Sequence, residues 1–494
     1  MNVKFLCLIF LKKCMLSFFQ EKIVYRLLPY RNSIRKETIM EHFFKLKENG
    51  TTVKTEIMAG ITTFMTMAYI LAVNPNILSA AGMDRGAVFT ATALTSFVAS
   101  CLMALFANYP FVLAPGMGLN AYFAYTVVLG MGYTWQMALA AVFVEGIIFI
   151  VLSLTNVREA IFHAIPMNLK YAVSAGIGLF IAFIGLQNAK IVVNNDATLL
   201  GLFSFKKSLA SGTFRQDGIT VLLALLGILI AAFFLIKQVT GGILWAILLT
   251  WGLGIICQFT GLYVPNPEAG YYSLLPDFSA GLSVPSLKPT LFQVDFSKVL
   301  SFDFAVVMFA FLFVDMFDTL GTLIGVASQA DMLDEDGRLP RIRGALLTDA
   351  LGTTMGALCG TSTVTTFVES ASGVSEGGRT GLTALTAGIL FALSLFLSPI
   401  FLAIPSFATA PALIMVGFLM LTSITKIDFD DYTEAIPGFI TVIAMPFMYS
   451  NSEGIALGVI SYVILHIVSG NKEKKISPLM YGLAVLFICK YIIL

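Results

Sequence analysis

Apolar runs of about 16–25 residues alternate with short polar connections along this chain, a spacing suited to helices that cross a hydrocarbon layer of about 30 Å. The runs fall near 57–80, 87–107, 111–131, 135–155, 169–186, 218–236 and 241–260. After a long loop they resume near 302–328, 344–360, 361–376, 379–398, 400–421, 436–450 and 454–469. The pattern predicts an all-α polytopic membrane protein of about fourteen transmembrane segments. Several segments are too short, or too interrupted by Gly and Pro, to cross as straight helices, so broken helices are expected. The last apolar stretch, Ser477 to Leu494, reads equally well as an interfacial helix or as an extra span.

Composition fits that picture. Of 494 residues, 57% are hydrophobic and 12% charged, about half the charge of a soluble domain. The mean hydropathy of +0.87 is too high for one soluble core of this length. A net charge of +1 gives no footprint for nucleic acid. Basic residues such as Lys45, Lys47, Lys54, Arg338, Arg379 and Lys475 collect on one side if the N-terminus is cytoplasmic. Residues 1–39 mix short apolar runs with scattered Lys and Arg, and no small-residue cleavage site follows them. Met40 then opens an amphipathic lead-in to the first span. The reading takes Met40 as the natural start, with a cytoplasmic N-terminal extension as the alternative.

Two segments break the helical pattern. Tyr109-Pro-Phe-Val-Leu-Ala-Pro-Gly-Met-Gly-Leu-Asn120 and Gly360-Thr-Ser-Thr-Val-Thr-Thr-Phe-Val-Glu-Ser-Ala-Ser-Gly373 contain β-prone cores flanked by helix breakers. Each follows a span opened by a similar sequence, Arg85-Gly-Ala-Val-Phe-Thr90 or Arg343-Gly-Ala-Leu-Leu-Thr348. This is a faint internal repeat of seven spans, and an odd number of spans requires the copies to be inverted. Extended backbone at bilayer depth survives only when buried in protein or lining a cavity. Paired interruptions in two repeats are a pointer to a transporter's binding site. The competing reading is a pair of ordinary helix kinks.

Polar side chains cluster around those breaks. Asp315 and Asp318, one turn apart in an apolar run, share a helix face that Thr322 continues. A charge at bilayer depth costs roughly 2.5–3.5 kcal/mol on insertion scales, so it normally faces a cavity, a partner or a substrate path. Asn120 and Glu369 each lie just past a break. Together the four offer acceptors and donors for the N–H and carbonyl edges of a planar heterocycle, and carboxylates able to carry protons. Glu145, inside the fourth span, reads either as a structural hydrogen-bonding group or as a proton carrier. Phe111, Phe317 and Phe367 are candidates to stack on a ring, although most of the 42 phenylalanines must simply pack helices.

Other chemistry is not indicated. No phosphate-binding loop is present, and the six cysteines and three histidines lie scattered without ligand spacing. The acidic run Asp331–Gly337 lacks the closing carboxylate of a calcium loop and reads as a solvated turn. Gly352 and Gly356 read as a close helix-packing pair. Catalytic residues, metal and cofactor are all expected to be absent.

Several long motifs resemble the AzgA-like purine permeases, a branch of the xanthine/uracil permease group. They are Thr55-Glu-Ile-Met-Ala-Gly-Ile-Thr-Thr-Phe-Met-Thr-Met-Ala-Tyr-Ile70, Ala114-Pro-Gly-Met-Gly-Leu-Asn-Ala-Tyr-Phe123, Phe313-Val-Asp-Met-Phe-Asp-Thr-Leu-Gly-Thr322 and Gly360-Thr-Ser-Thr-Val-Thr-Thr-Phe-Val-Glu-Ser370. The resemblance runs from about Met40 to the C-terminus, while 1–39 has no counterpart. It implies a first repeat over 40–260, a long extracytoplasmic loop over 261–298, a second, inverted repeat over 299–469 and a basic turn with an apolar tail over 470–494. It also implies a core domain of 57–155 with 299–398, and a gate domain of 169–260 with 400–469. The function implied is proton-coupled import of adenine, guanine or hypoxanthine across the cytoplasmic membrane, by an elevator or rocking motion of core against gate. In that scheme Glu369 and one aspartate, Asp315, bond the base, Asn120 orients it, and Asp318 tunes the site or handles the proton. The partners are then the purine, protons and the lipid bilayer, without nucleic acid, and a homodimer is left open. The alternatives are a uracil, xanthine or anion carrier of the same fold, or a passive nucleobase facilitator.

Overall fold

The structure is a computed structural model describing residues 41, 43–155, 166–195, 198–266, 270–279, 281–329, 332, 339–470 and 476–493. The segment 1–39, most of the acidic 331–337 turn and the basic 471–475 turn lie outside the described residues, as does the Phe317 side chain.

The chain opens with helices α1 (Val53–Met67), α2 (Ile70–Ala80) and α3 (Arg85–Phe106). A short strand β1 (Leu113–Pro115) leads into α4 (Met117–Ala121), which loosens into a π-helical stretch over Tyr122–Gly130. Then come α5 (Trp135–Leu154), α6 (Met167–Asn188), a hairpin of β2 (Val192–Asn195) and β3 (Leu199–Leu202), α7 (Phe205–Ala210), α8 (Ile219–Ile236) and α9 (Gly242–Phe259). After the long loop follow α10 (Phe302–Gln329), α11 (Ile342–Cys359), strand β4 (Val364–Thr366), α12 (Ser370–Ser375) and α13 (Gly381–Ser394). The chain continues through α14 (Ser398–Ala403), α15 (Ser406–Leu421), α16 (Tyr432–Phe447), α17 (Asn451–Ser469) and α18 (Pro478–Ile493).

Local chemistry sets many of these boundaries. Thr52, Asp84, Thr134, Asp431 and Ser450 cap α1, α3, α5, α16 and α17 by accepting first-turn N–H groups. Gly360 ends α11 with φ +94°, where an added Cβ would sit 2.2 Å from Thr290 Cβ, so only glycine fits. The expected single span over 57–80 is divided. At Ala68–Tyr69 the backbone tightens, with Leu71 N–H on Ala68 O and Ala72 N–H on Tyr69 O. Eight helices or helix pairs among the described residues are long and apolar enough to cross a membrane. α10, with 28 residues, is about 42 Å long.

Two packing groups emerge. α1, α3, α5, α11 and α13 pack on one another, and α3, α11 and α10 contact the strands β1 and β4. α6, α8, α9, α15, α16 and α17 form the other group. Within the second, Glu434 ties three helices together: it accepts from Asn168 Nδ2 at 3.1 Å and Tyr462 hydroxyl at 3.2 Å, with His466 Nε2 3.6 Å away. The groups meet where Asn451 Nδ2 donates to Gly118 O at 3.3 Å and Thr126 Oγ1 donates to Tyr449 O at 2.9 Å. Gly352 and Gly356 let α11 approach α3 and the second break: their added Cβ atoms would stand 3.2 Å from Ala99 Cβ and 2.9 Å from Ser362 O.

The C-terminal stretch forms α18, which packs along α17. Phe487 meets Phe309 of α10 edge-on at 5.9 Å, and the Tyr491 hydroxyl donates to Glu453 near the start of α17. α18 therefore runs antiparallel to α17 with one side buried on the bundle.

Candidate functional site

The two breaks meet in space. β1 and β4 pair antiparallel, Leu113 opposite Thr366, Ala114 opposite Thr365 and Pro115 opposite Val364, and every one of these residues is buried. Phe367 N–H on Val112 O and Gly116 N–H on Thr363 O, both at 3.0 Å, extend the ladder at its two ends. Side chains close the remaining backbone valences: Ser370 Oγ accepts Val112 N–H at 3.0 Å, and Thr353 Oγ1 donates to Val364 O at 3.1 Å. Extended chain is thereby kept wholly within protein. α4 and α12 start from this crossing.

Around it the acidic residues divide by depth. Asp318 and Glu369 are half-buried and near enough to interact electrostatically. The Asp318 carboxylate stands beside Gly116, with Oδ2 3.5 Å from where a Cβ on that glycine would lie. Glu369 precedes the first turn of α12, and its Oε1 accepts the Tyr69 hydroxyl at 2.6 Å.

Asp315 is fully buried. Its Oδ1 accepts Thr319 Oγ1 at 3.1 Å, and the same hydroxyl lies 2.8 Å from Asp349 Oδ1 and 2.6 Å from Thr365 Oγ1. Glu145, also fully buried, accepts Thr363 Oγ1 at 3.0 Å. Asn120 is buried in α4: its Oδ1 accepts the Ser362 hydroxyl, and its Nδ2 reaches Pro115 O at 3.4 Å.

Thus Asn120, Asp315, Asp318, Glu369 and Glu145 all gather at the crossing. Of these carboxylates, Asp318 and Glu369 are the two with exposed surface, while Asp315 connects to Thr365 of β4 through Thr319 and Glu145 bonds Thr363 just before the strand. Of the stacking candidates, Phe111 is fully buried and already stacked on Tyr109 at 5.1 Å, and Phe367 is buried at the end of β4. Sequence reasoning missed Tyr69 and Asp349. Tyr69 reads as an ordinary packing aromatic between Met67 and Val73, and Asp349 has no second carboxylate at helical spacing to mark it.

Residues 54–457 match the xanthine/uracil permease family (Xan_ur_permease, Permease family). The chain belongs to that family. It is a multi-pass membrane transporter, not an enzyme. Among its relatives, guanine/hypoxanthine permease PbuG of Bacillus subtilis is 45% identical, over 92% of this chain and 100% of its own length. Adenine permease AdeP of Escherichia coli is 41% identical, over 92% and 96%. By fold alone, this permease resembles the transmembrane domain of the cyanobacterial bicarbonate transporter BicA, with TM-score 0.58 and 17% identity over 82% of this chain and 97% of that one. It also resembles murine Slc26a9, an anion transporter solved facing inward, with TM-score 0.59 and 11% identity over 92% and 75%.

Proposed function

We propose that this permease imports purine nucleobases, namely adenine, guanine or hypoxanthine, across the cytoplasmic membrane by proton symport. The observation that carries the reading is the convergence of two half-buried carboxylates, Asp318 and Glu369, on a fully buried strand crossing. A purine ring presents N–H donors that a carboxylate accepts as charge-assisted hydrogen bonds, each of which contributes about 1.5–3 kcal/mol. Asp318 fits direct contact with the base better than Asp315, whose carboxylate is committed to the Thr319 network. We therefore assign Asp318 and Glu369 to the base; Asn120, fully buried with its amide on Ser362 and Pro115, helps to orient it indirectly by fixing the break between β1 and α4. Asp315 and Glu145 serve as buried groups that support β4 and exchange protons with the site.

The antiparallel pairing of two strand–short-helix units supports fourteen spans arranged as inverted repeats. The two packing groups serve as core and gate. Transport then requires the Asn451–Gly118 and Thr126–Tyr449 contacts to part as the groups rock or slide. In this reading the N-terminus is cytoplasmic, which the bias of Lys and Arg toward that side supports.

Competition uptake tests this reading. Cells lacking their own purine carriers should accumulate labelled hypoxanthine when they express the chain. Adenine or guanine should compete, uracil should not, and a protonophore should abolish accumulation. Uptake indifferent to the protonophore would establish the facilitator alternative, and competition by uracil or bicarbonate would favour another carrier class. An acidic site repels anions, which disfavours an anion carrier.

A further inference from the structure

Glu369 is gripped by a residue that the functional reading above leaves unassigned. Tyr69 sits at the tightened point between α1 and α2, fully buried. Its hydroxyl donates to Glu369 Oε1 at 2.6 Å across 300 residues of sequence. A second rung lies beside it. Thr66 Oγ1 and Ser372 Oγ are 2.9 Å apart, and Ser372 Oγ donates to Glu369 O at 2.6 Å. The helices are in tight contact here, since a Cβ on Gly373 would stand 2.1 Å from Thr63 Oγ1. The loop between β4 and α12 is thus held against α1, and Asp318 is near enough to the Glu369 carboxylate to interact with it electrostatically.

We propose that Tyr69 is a positioning residue for substrate recognition: its hydroxyl holds Glu369 Oε1 so that Oε2 is presented to the base. The proposal rests on the assignment of Glu369 to the purine site. The physical argument concerns orientation. A glutamate has three rotatable side-chain bonds, and its terminal torsion is broad and nearly two-fold. Left to itself, the carboxylate would spread over several directions, and a ligand would have to order it on binding at an entropic cost. Tyr69 is rigid by contrast. Its ring is packed on all sides, its phenol is a donor at ordinary pH, and one short bond fixes one oxygen. The remaining oxygen is then available as an acceptor of defined direction, which is what discrimination between ring N–H patterns needs. Tyr69 contributes through Glu369 and has no exposed surface with which to touch the ligand.

The test compares the two rungs in the purified full-length protein, with equilibrium binding of labelled hypoxanthine as the readout. Tyr69→Phe keeps the ring and removes the hydroxyl, while Thr66→Val removes the neighbouring rung and leaves the carboxylate alone. The expected result is a Kd about tenfold higher for Tyr69→Phe and within twofold of wild type for Thr66→Val. In the Glu369→Asp background, whose shorter carboxylate is drawn away from the phenol, adding Tyr69→Phe should change Kd by less than twofold. Equal losses from the two rungs, the same loss in both Glu369 backgrounds, or no loss for Tyr69→Phe would each overturn the positioning role. So would a Tyr69→Phe protein that fails to fold, since the hydroxyl would then be structural. Absence of hypoxanthine binding in the wild type would instead overturn the purine reading, which keeps the two failures distinct.

Discussion

Gly116 lies against Thr365 and Asp318 in the proposed site, and Gly116→Ala probes that contact with a single methyl group. The glycine's φ of −69° and ψ of 129° suit any residue, so the substitution introduces no backbone strain. Its cost is steric. The new Cβ would lie 2.7 Å from Thr365 Cγ2, 3.3 Å from Leu119 Cδ1 and 3.5 Å from Asp318 Oδ2. Thr365 must retreat by about 0.7 Å to restore ordinary contact. It cannot simply rotate, because Thr365 Oγ1 is held 2.6 Å from Thr319 Oγ1 in the network that includes Asp315. β4 must therefore move as a unit, taking Glu369 with it. Overpacking of this kind costs about 1–3 kcal/mol, and about 1.4 kcal/mol is tenfold in affinity. We predict that KM for hypoxanthine uptake rises about tenfold at unchanged membrane abundance. Thr365→Ser removes the obstructing methyl and keeps the hydroxyl, so Gly116→Ala/Thr365→Ser should return to within threefold of wild type. Uptake kinetics in a carrier-deficient host, normalised to immunoblotted membrane protein, measure both. Wild-type kinetics for Gly116→Ala, or a double variant no better than the single, would refute the reasoning.

Three further outcomes are expected. Ser362→Ala removes the hydroxyl donated to Asn120 Oδ1 and should raise KM several-fold, in keeping with about 1 kcal/mol for one hydrogen bond; KM against expression-normalised Vmax is the check. Glu56, fully buried, accepts the N–H groups of Arg379 (2.8 Å), Thr380 and Thr383 (both 3.2 Å) and the Thr383 hydroxyl (2.6 Å), so Glu56→Gln turns an amide NH2 toward donors. Its detergent-solubilised melting temperature should fall by several degrees while hypoxanthine Kd stays within twofold. Glu145→Gln retains a carbonyl acceptor for Thr363, so binding should persist within threefold while concentrative uptake in a proton gradient slows; equal loss of both would make Glu145 a binding residue.

Much of this site was legible because its departures from membrane composition are costly. Pro and Gly around 111–116 and the Thr run at 361–366 cannot continue an apolar helix, and these are the segments that pair as β1 and β4. Isolated carboxylates in apolar runs stood out for the same reason. The difference in depth between Asp315, fully buried, and Asp318, partly exposed, was not legible. Residues three apart on a helix differ by about 60° in direction, which is enough for one to be fully buried and the other to keep exposed surface. Tyr69 carried no signal because an aromatic residue in an apolar run looks like any packing residue, and its role depends on a partner 300 positions away. The tightening at Ala68–Tyr69 was equally silent, since neither Gly nor Pro occurs between Gly60 and Pro75.

The central claim, that Asp318 and Glu369 form one purine and proton site, is tested most directly in proteoliposomes of purified protein under an imposed inward proton gradient. Wild-type protein should accumulate labelled hypoxanthine above the external concentration, and Asp318→Asn and Glu369→Gln should each abolish that accumulation while the protein stays folded and inserted. Proton-driven accumulation at the wild-type level by either variant would contradict the account.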